Sequence, residues 1–332
     1  MKRVGFLYDK VMDYDNIVLA MEKYDANRPC NRRRGVDYRL AHEILGEMKT
    51  DYAKIIGKPR LKTIKESGKE RQLQIPNYKS CIAQIALWNV CGKYVERRIH
   101  NQSFSSRKGM GGHLAARKCE RFVHTNAEGK AKYFLYFDIR KYYQHINKRV
   151  LVNRLETIFK DKKIIELFKA VIYSSDNGLP IGYPFSHALA NLFLAPLYYL
   201  IKSIKSVSKI FVYMDNWIIF SRYKKSLKKS LQTARSWLEE LGCEVKDDWQ
   251  IAPTANRGVK LCGFIIHANK ATRLYHRIWH RIVRNFDRCM SNPNCERLKL
   301  SMASRLGWLK AINKQYSKIF VINKKQGGYL WK

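Results

Sequence analysis

Two runs of large apolar residues, each carrying a single acid, constrain this chain more than any other feature. Lys132 to Phe137 reads Lys-Tyr-Phe-Leu-Tyr-Phe and ends on Asp138. Lys209 to Phe220 reads Lys-Ile-Phe-Val-Tyr-Met-Asp-Asn-Trp-Ile-Ile-Phe. Aromatic and β-branched runs of this kind suit strands of a buried sheet. The second run reads as two strands about a two-residue polar turn, Asp215-Asn216, and Asp-Asn is by itself an ordinary hairpin turn. A lone carboxylate among such residues is expensive unless something positive pairs with it. Metal ions are one answer: two-metal phosphoryl transfer needs ions about 3.5–4 Å apart, bridged by acids on a rigid platform. Asp138 and Asp215 are candidates for that role as a pair; singly, each is equally a strand-end or turn residue.

Charge narrows the class of partner. Lys and Arg number 64 against 27 Asp and Glu, a formal net charge of +37. Such an excess opposes compaction through self-repulsion, and a polyanion is the usual reason to tolerate it. The basic runs Arg32-Arg33-Arg34, Arg97-Arg98, Lys224-Lys225 and Lys228-Lys229 are spread along the chain, which favours a long charged channel over one terminal arm. With 46% hydrophobic and 12% aromatic residues this is a folded protein and not a basic disordered tail. Eight cysteines occur without a C-x-x-C pair, so neither a zinc knuckle nor a disulfide framework follows, and reduced thiols point to the cytoplasm. No stretch of 18 apolar residues occurs, and no apolar segment follows the first charges, so neither a membrane nor secretion is expected.

Periodicity predicts an α+β chain. Residues 1–60 are charged and helical in pattern, with Tyr38, Leu40, Ile44, Leu45 and Met48 as one apolar face. Leu61 to Ile64 and Arg71 to Pro76 suggest a hairpin about Gly68. A buried helix is expected over 80–100, helical segments over 148–172, 186–203 and 226–241, and a further hairpin over 259–267. From about 270 two basic helices flank Asn292-Pro293, with Arg273, Arg277, Arg281, Arg284 and Arg288 at helical spacing.

Six segments in order resemble the reverse transcriptases. Lys69-Glu70-Arg71-Gln72-Leu73-Gln74-Ile75-Pro76 is similar to K-x-R-x-I-x-I-P, and Ser103 to His113 to S-x-x-x-R-x-G-x-G-x-H. Phe137-Asp138-Ile139-Arg140-Lys141-Tyr142-Tyr143 resembles F-D-I-K-x-F-F. Gly178-Leu179-Pro180-Ile181-Gly182 with Ser186 resembles G-x-P-x-G-x-x-x-S. Tyr213-Met214-Asp215-Asn216 stands where the family has Y-x-D-D, and Leu261-Cys262-Gly263-Phe264 resembles F-L-G-F. The resemblance implies a right-hand polymerase with N-terminal helices and fingers over 1–130, a palm over 131–267 (part of the fingers near 150–180) and a short helical thumb over 268–332. Only about 60 residues follow that palm, too few for an RNase H or endonuclease domain.

The resemblance also implies roles. Asp138, Asp215 and Asn216 would be catalytic, with Asp138, Asp215 and the Ile139 carbonyl holding two Mg²⁺ ions, for which Mn²⁺ would be a substitute. Lys69 and Arg71 would grip the triphosphate of a dNTP. Tyr143 would exclude a 2′-hydroxyl. Ile181, Gly182 and Ser186 would lie against the template base and primer end. Lys246 would protonate pyrophosphate, although a plain surface lysine is an equal reading. Arg107 would contact the template strand or stabilise the fold, and Arg273, Arg277, Arg281 and Arg284 would contact the duplex backbone. The expected partners are an RNA template and a DNA or RNA primer.

Two departures sharpen the reading. Ile181-Gly182-Tyr183-Pro184-Phe185-Ser186-His187 resembles the I-G-x-x-x-S-Q of diversity-generating-retroelement enzymes, or of phage neighbours, which work with a small basic accessory protein. Asn216 replaces the usual second Asp, leaving open a slowed enzyme or an RNA-binding scaffold without catalysis. A phage-defence reverse transcriptase is a third alternative.

Overall fold

The computed structural model describes residues 2–66, 69–312, 322–323 and 328–329. In chain order the elements are α1 (Tyr8–Val11), α2 (Tyr14–Ala26), α3 (Tyr38–Thr50), α4 (Tyr52–Ile56), β1 (Arg60–Glu66), β2 (Lys69–Ile75), α5 (Tyr78–Glu96), α6 (Gly112–Asn126), β3 (Tyr133–Asp138), α7 (Tyr142–His145), α8 (Lys148–Glu156) and α9 (Lys162–Tyr173). They continue with α10 (Ser186–Lys202), β4 (Val207–Tyr213), β5 (Asn216–Ser221), α11 (Lys224–Glu239), β6 (Gln250–Pro253), β7 (Val259–Leu261), β8 (Phe264–Ile266), β9 (Arg273–Leu274), α12 (His276–Ser291), α13 (Glu296–Ile312), β10 (Ile322–Asn323) and β11 (Gly328–Tyr329). The α+β class expected from periodicity is therefore observed. Two compact units divide the chain: Met1–Ser106 with Asp138–Ile201 and Gln232–Asp247, and Arg107–Phe137 with Lys202–Leu231 and Asp248–Lys332.

The first unit is mainly helical. Its helix starts are set by short polar side chains that satisfy otherwise orphaned N–H groups. Asp37 caps α3 through Leu40 N, Asn77 caps α5 through Ser80 N, and Asn147 caps α8 through Val150 N. Helix α3 buries Ala41, Ile44 and Met48, one face of a 3.6-residue period, while Tyr38 is left exposed, against expectation. The single helix expected over 148–172 is two, α8 and α9. Between them Val4 N donates to Ile158 O at 2.8 Å and Lys160 N donates to Val4 O at 2.7 Å, a bridge that needs extended backbone. Strands β1 and β2 pair antiparallel from Arg60↔Ile75 to Glu66↔Lys69, as the sequence predicted.

Helix α10 carries Pro196 in its interior. Proline has no N–H, so the carbonyl of Leu192, four residues earlier, loses its helical donor. Arg154 supplies one from outside the helix, its Nη1 lying 3.3 Å from Leu192 O. The same guanidinium sits over the rings of Phe193 and Trp237, at 5.3 and 5.5 Å from their centroids. Burial disfavours its charge and pushes its pKa down to about 10, which still leaves it protonated at neutral pH.

The second unit holds a four-stranded sheet in the order β4-β5-β3-β6, with Asp138 as the residue at which β3 crosses into the first unit. Strands β4 and β5 are antiparallel, as are β3 and β6. Strand β6 was not foreseen, because its four residues alternate too briefly to register as a strand. Helix α6, also unforeseen, contributes Ala115, Ala116, Cys119 and Val123 to the core. Phe137 stacks on Trp217, centroids 5.7 Å apart, and both are fully buried. A smaller sheet, β7-β8-β9, accompanies α12 and α13. Arg273 belongs to β9 and not to the helix, so the expected basic stripe on α12 starts only at Arg277.

The Arg154–Leu192 bond makes a stability prediction. Arg154→Met should cost about 2–3 kcal/mol by leaving a buried carbonyl without a donor. Adding Pro196→Ala, which restores the helical N–H, should recover part of that loss. Urea denaturation of the single and double variants checks both.

Candidate active site

The acid at the end of β3 is held by backbone as well as side chain. Lys246 N donates to Asp138 O at 2.8 Å, Arg140 N donates to Glu244 O at 2.8 Å, and Ile139 bridges Val245. This ladder fixes the direction in which Asp138 leaves the strand. Its Oδ2 lies 2.7 Å from the Lys246 ammonium. Its Oδ1 is buried and has no hydrogen-bond partner among the described residues. The Asp138 side chain is 13% exposed, so the pair is shielded but reachable from solvent. Lys246, expected near the leaving group, is thus found on the acid itself. Arg140 forms exposed ion pairs with Glu244 at 3.0 Å and Asp247 at 2.7 Å, which contribute little beyond local order. Ile139 is fully buried.

Asp215 lies in the hairpin between β4 and β5. Tyr213 pairs with Asn216, so the two turn residues are Met214 and Asp215, not Asp215 and Asn216 as the sequence suggested. Met214 adopts φ 55°, the left-handed conformation that a two-residue hairpin demands. A methionine there is strained, and such strain commonly marks a functional turn. Asn216 is the first residue of β5. Its Oδ1 accepts from the Tyr136 hydroxyl at 2.9 Å, and its Nδ2 donates to Asp215 Oδ1 at 3.2 Å. Tyr136 stands two residues before Asp138 on β3, hence on the same face of the strand. It was missed at the sequence level, where a tyrosine in an aromatic run reads as core; its hydroxyl at an i−2 position from the acid was the available signal.

A second group of expected residues meets in the first unit. Tyr143, in α7, accepts through its carbonyl from Leu179 N at 2.8 Å. Gly178, at φ +52°, runs so close that a Cβ there would fall 1.9 Å from Tyr143 O. Gln74 N donates to Ile181 O at 2.8 Å, and its side-chain amide donates to Ser175 Oγ at 2.9 Å. At Gly182, φ +116°, a Cβ would approach Gln74 O to 2.8 Å. Strand β2 is thereby fastened to the Gly178–Gly182 loop, with Ile181 half-buried and Ser186 buried at the start of α10. His187 places its ring 5.8 Å from that of Tyr143, and burial lowers its pKa. Gln74 and His187 were not singled out as site residues. The side chains of Lys69 and Arg71 lie outside the described residues; their backbone belongs to β2.

The arginines expected to contact nucleic acid fall in the second unit. Arg107 is half-buried, its carbonyl accepting from Met110 N at 3.0 Å in the turn before α6. Arg277, Arg281 and Arg284 are exposed along α12, opposite the buried Ile282, Asn285 and Cys289. No group of three or more His, Cys, Asp or Glu gathers as a metal site among the described residues. Mg²⁺ at phosphoryl-transfer sites is characteristically bound through one or two carboxylates, with substrate phosphates and water completing the shell. The unpartnered Asp138 Oδ1 is a donor of the required kind, so the residues present fit such an ion.

Comparison with known proteins agrees with this geometry. The family described as reverse transcriptase (RNA-dependent DNA polymerase) matches residues 37–266. The Retron Ec73 reverse transcriptase of Escherichia coli is 25% identical over 195 residues, covering 55% of this chain and 59% of that protein. Among solved structures, apo telomerase from Candida tropicalis, truncated from its C-terminal domain, is similar with a TM-score of 0.50 and 15% identity, over 72% of this chain and 61% of that one. The chain thus spans about three-fifths of either relative. At 15% identity the structural likeness speaks for the fold alone, a right-hand polymerase fold. With most of its length matched to that family, the chain belongs to the reverse transcriptases.

Proposed function

We propose that the chain is an RNA-directed DNA polymerase that extends a DNA or RNA primer on an RNA template with dNTPs. The observation that carries this reading is the sheet order, in which β3, ending on Asp138, neighbours β5, which follows Asp215 directly. Asp138 and Asp215, with the Ile139 carbonyl, would hold two Mg²⁺ ions, or Mn²⁺ in their place. When bound, such ions lower the pKa of an attacking hydroxyl and take up leaving-group charge. Lys246 orients Asp138, and its ammonium is a proton source for pyrophosphate once the acid has other partners. Tyr143, fixed by the Gly178 loop, supplies an aromatic wall against a 2′-hydroxyl. Ile181, Gly182 and Ser186 line the template side. Lys69 and Arg71 on β2 would bind triphosphate. Arg107 and the arginines from Arg273 to Arg284 would follow the nucleic-acid backbone. In this reading 1–130 are N-terminal helices and fingers, 131–267 the palm and 268–332 the thumb.

The Ile181-Gly182 motif with Ser186-His187 supports membership of a diversity-generating retroelement or a phage element, with a small basic accessory protein as partner. An aliphatic side chain beside the template base offers no hydrogen bond with which to select the incoming nucleotide. The similarity to a retron reverse transcriptase favours a second reading, a retron-type reverse transcriptase.

Primer extension on an RNA template with dNTPs and Mg²⁺ tests the main reading. Wild-type protein should extend, and Asp138→Ala should abolish product; equal product from both would refute it, and none from either would favour a binding scaffold. Ile181→Gln should reduce misincorporation opposite template adenines in the sequenced cDNA, and an unchanged error spectrum would reject the role of Ile181. Template–primer affinity should fall steeply between low and moderate salt as counterion release demands, and replacing Arg277, Arg281 and Arg284 with Gln should flatten that slope in a binding titration.

A further inference from the structure

Asn216 occupies a position where an acid would be a metal ligand, yet its only side-chain oxygen is already engaged. An amide side chain has two possible flips, and here the neighbours decide between them. Asp215 offers a carboxylate that can only accept, so the Asn216 NH₂ group must face it, 3.2 Å from Oδ1. That flip turns Oδ1 towards Tyr136, whose hydroxyl donates to it at 2.9 Å. The opposite flip would set two oxygens against each other and leave the tyrosine facing an NH₂ group. The Tyr136 hydroxyl and Asn216 Nδ2 therefore form a directed chain ending on Asp215.

We infer that Tyr136 and Asn216 are positioning residues that hold the Asp215 carboxylate in its binding orientation before any cation arrives. An acid at 216 would place a second negative charge beside Asp215 and would rely on a cation between the two for order. Asn216 replaces that repulsion with a donated hydrogen bond, and Tyr136 prevents the amide from flipping. Asp215 follows the positive-φ Met214 directly and lies outside the β4–β5 ladder, so the Asn216 amide acts on a residue that the strand pairing does not itself hold. Tyr136 can orient that amide because its own position is fixed. It sits inside β3, whose next residue stacks on Trp217 and so secures the strand against the start of β5. This inference rests on the proposal that Asp215 is a metal ligand.

The test is a double-mutant cycle on the full chain, read by Mn²⁺ binding in an EPR titration and by the side-chain amide resonance of Asn216 in NMR. Tyr136→Phe keeps the ring and removes only the hydroxyl. Tyr136→Phe and Asn216→Ala should each weaken the Asp215-dependent Mn²⁺ site about tenfold, the usual scale for removing an outer-shell partner of a ligand. The loss in the double variant should be smaller than the sum of the two single losses, since the Tyr136 hydroxyl and the Asn216 amide are directly hydrogen-bonded. Additive losses, or no loss in Tyr136→Phe, would overturn the inference. Circular dichroism melts of each variant separate misfolding from loss of position. Where Asp215→Ala leaves Mn²⁺ binding untouched, the metal reading itself fails, and the Asn216 amide signal alone decides: a shift in Tyr136→Phe upholds the hydrogen-bond chain and an unmoved signal refutes it.

Discussion

A carboxylate at the end of a buried strand is stable only if its charge is answered locally, and Asp138 is answered on one oxygen and not on the other. Lys246 meets Oδ2, while Oδ1 has no hydrogen-bond partner among the described residues, in a side chain that is 13% exposed. Two consequences follow. The backbone ladder from Asp138 to Lys246 must be kept in register, because a shift by one residue would move the ammonium away and turn the acid to the other face. The open oxygen is also a buried acceptor that a cation at this corner would satisfy.

The same economy of acids runs through the rest of the molecule. A chain with a net charge of +37 has few carboxylates, and several of those present serve specific local duties. Asp37 and Asp161 cap helices, and Asp25 accepts from the backbone N–H groups of Arg34 and Gly35. The cations are mostly left on exposed faces such as that of α12, where they repel one another. Arg154 differs from these, half-buried and donating to the carbonyl that Pro196 leaves without its helical donor.

Glycine is used where backbone passes backbone. Gly178 against the Tyr143 carbonyl and Gly182 against the Gln74 carbonyl bring β2, α7 and the loop before α10 into one cluster. Either close approach would be lost with any side chain, and both glycines also hold positive φ. Residues from three separate stretches of sequence are thus placed side by side.

Much of this is legible in the chain alone. Strands around 133–138 and 207–221 follow from aromatic and β-branched runs, the hairpin at 60–75 from two short runs about a turn, and the paired C-terminal helices from Asn292-Pro293. The order of the motifs identifies the family, because each motif is local and needs only its own residues to be read. What stays hidden depends on register and on partners far apart in sequence. That the hairpin turns on Met214-Asp215 is a matter of which residues pair, and the break between α8 and α9 comes from Val4, some 150 positions away. Composition and local pattern determined that this chain is cationic and α+β with an acid ending an apolar strand, and the resemblance of its ordered motifs added the polymerase fold. Only the packed molecule decided that Lys246 meets Asp138 and that Tyr136 turns the Asn216 amide towards Asp215, since hydrogen bonds a few ångströms long are chosen by tertiary geometry and leave no periodic trace in the chain.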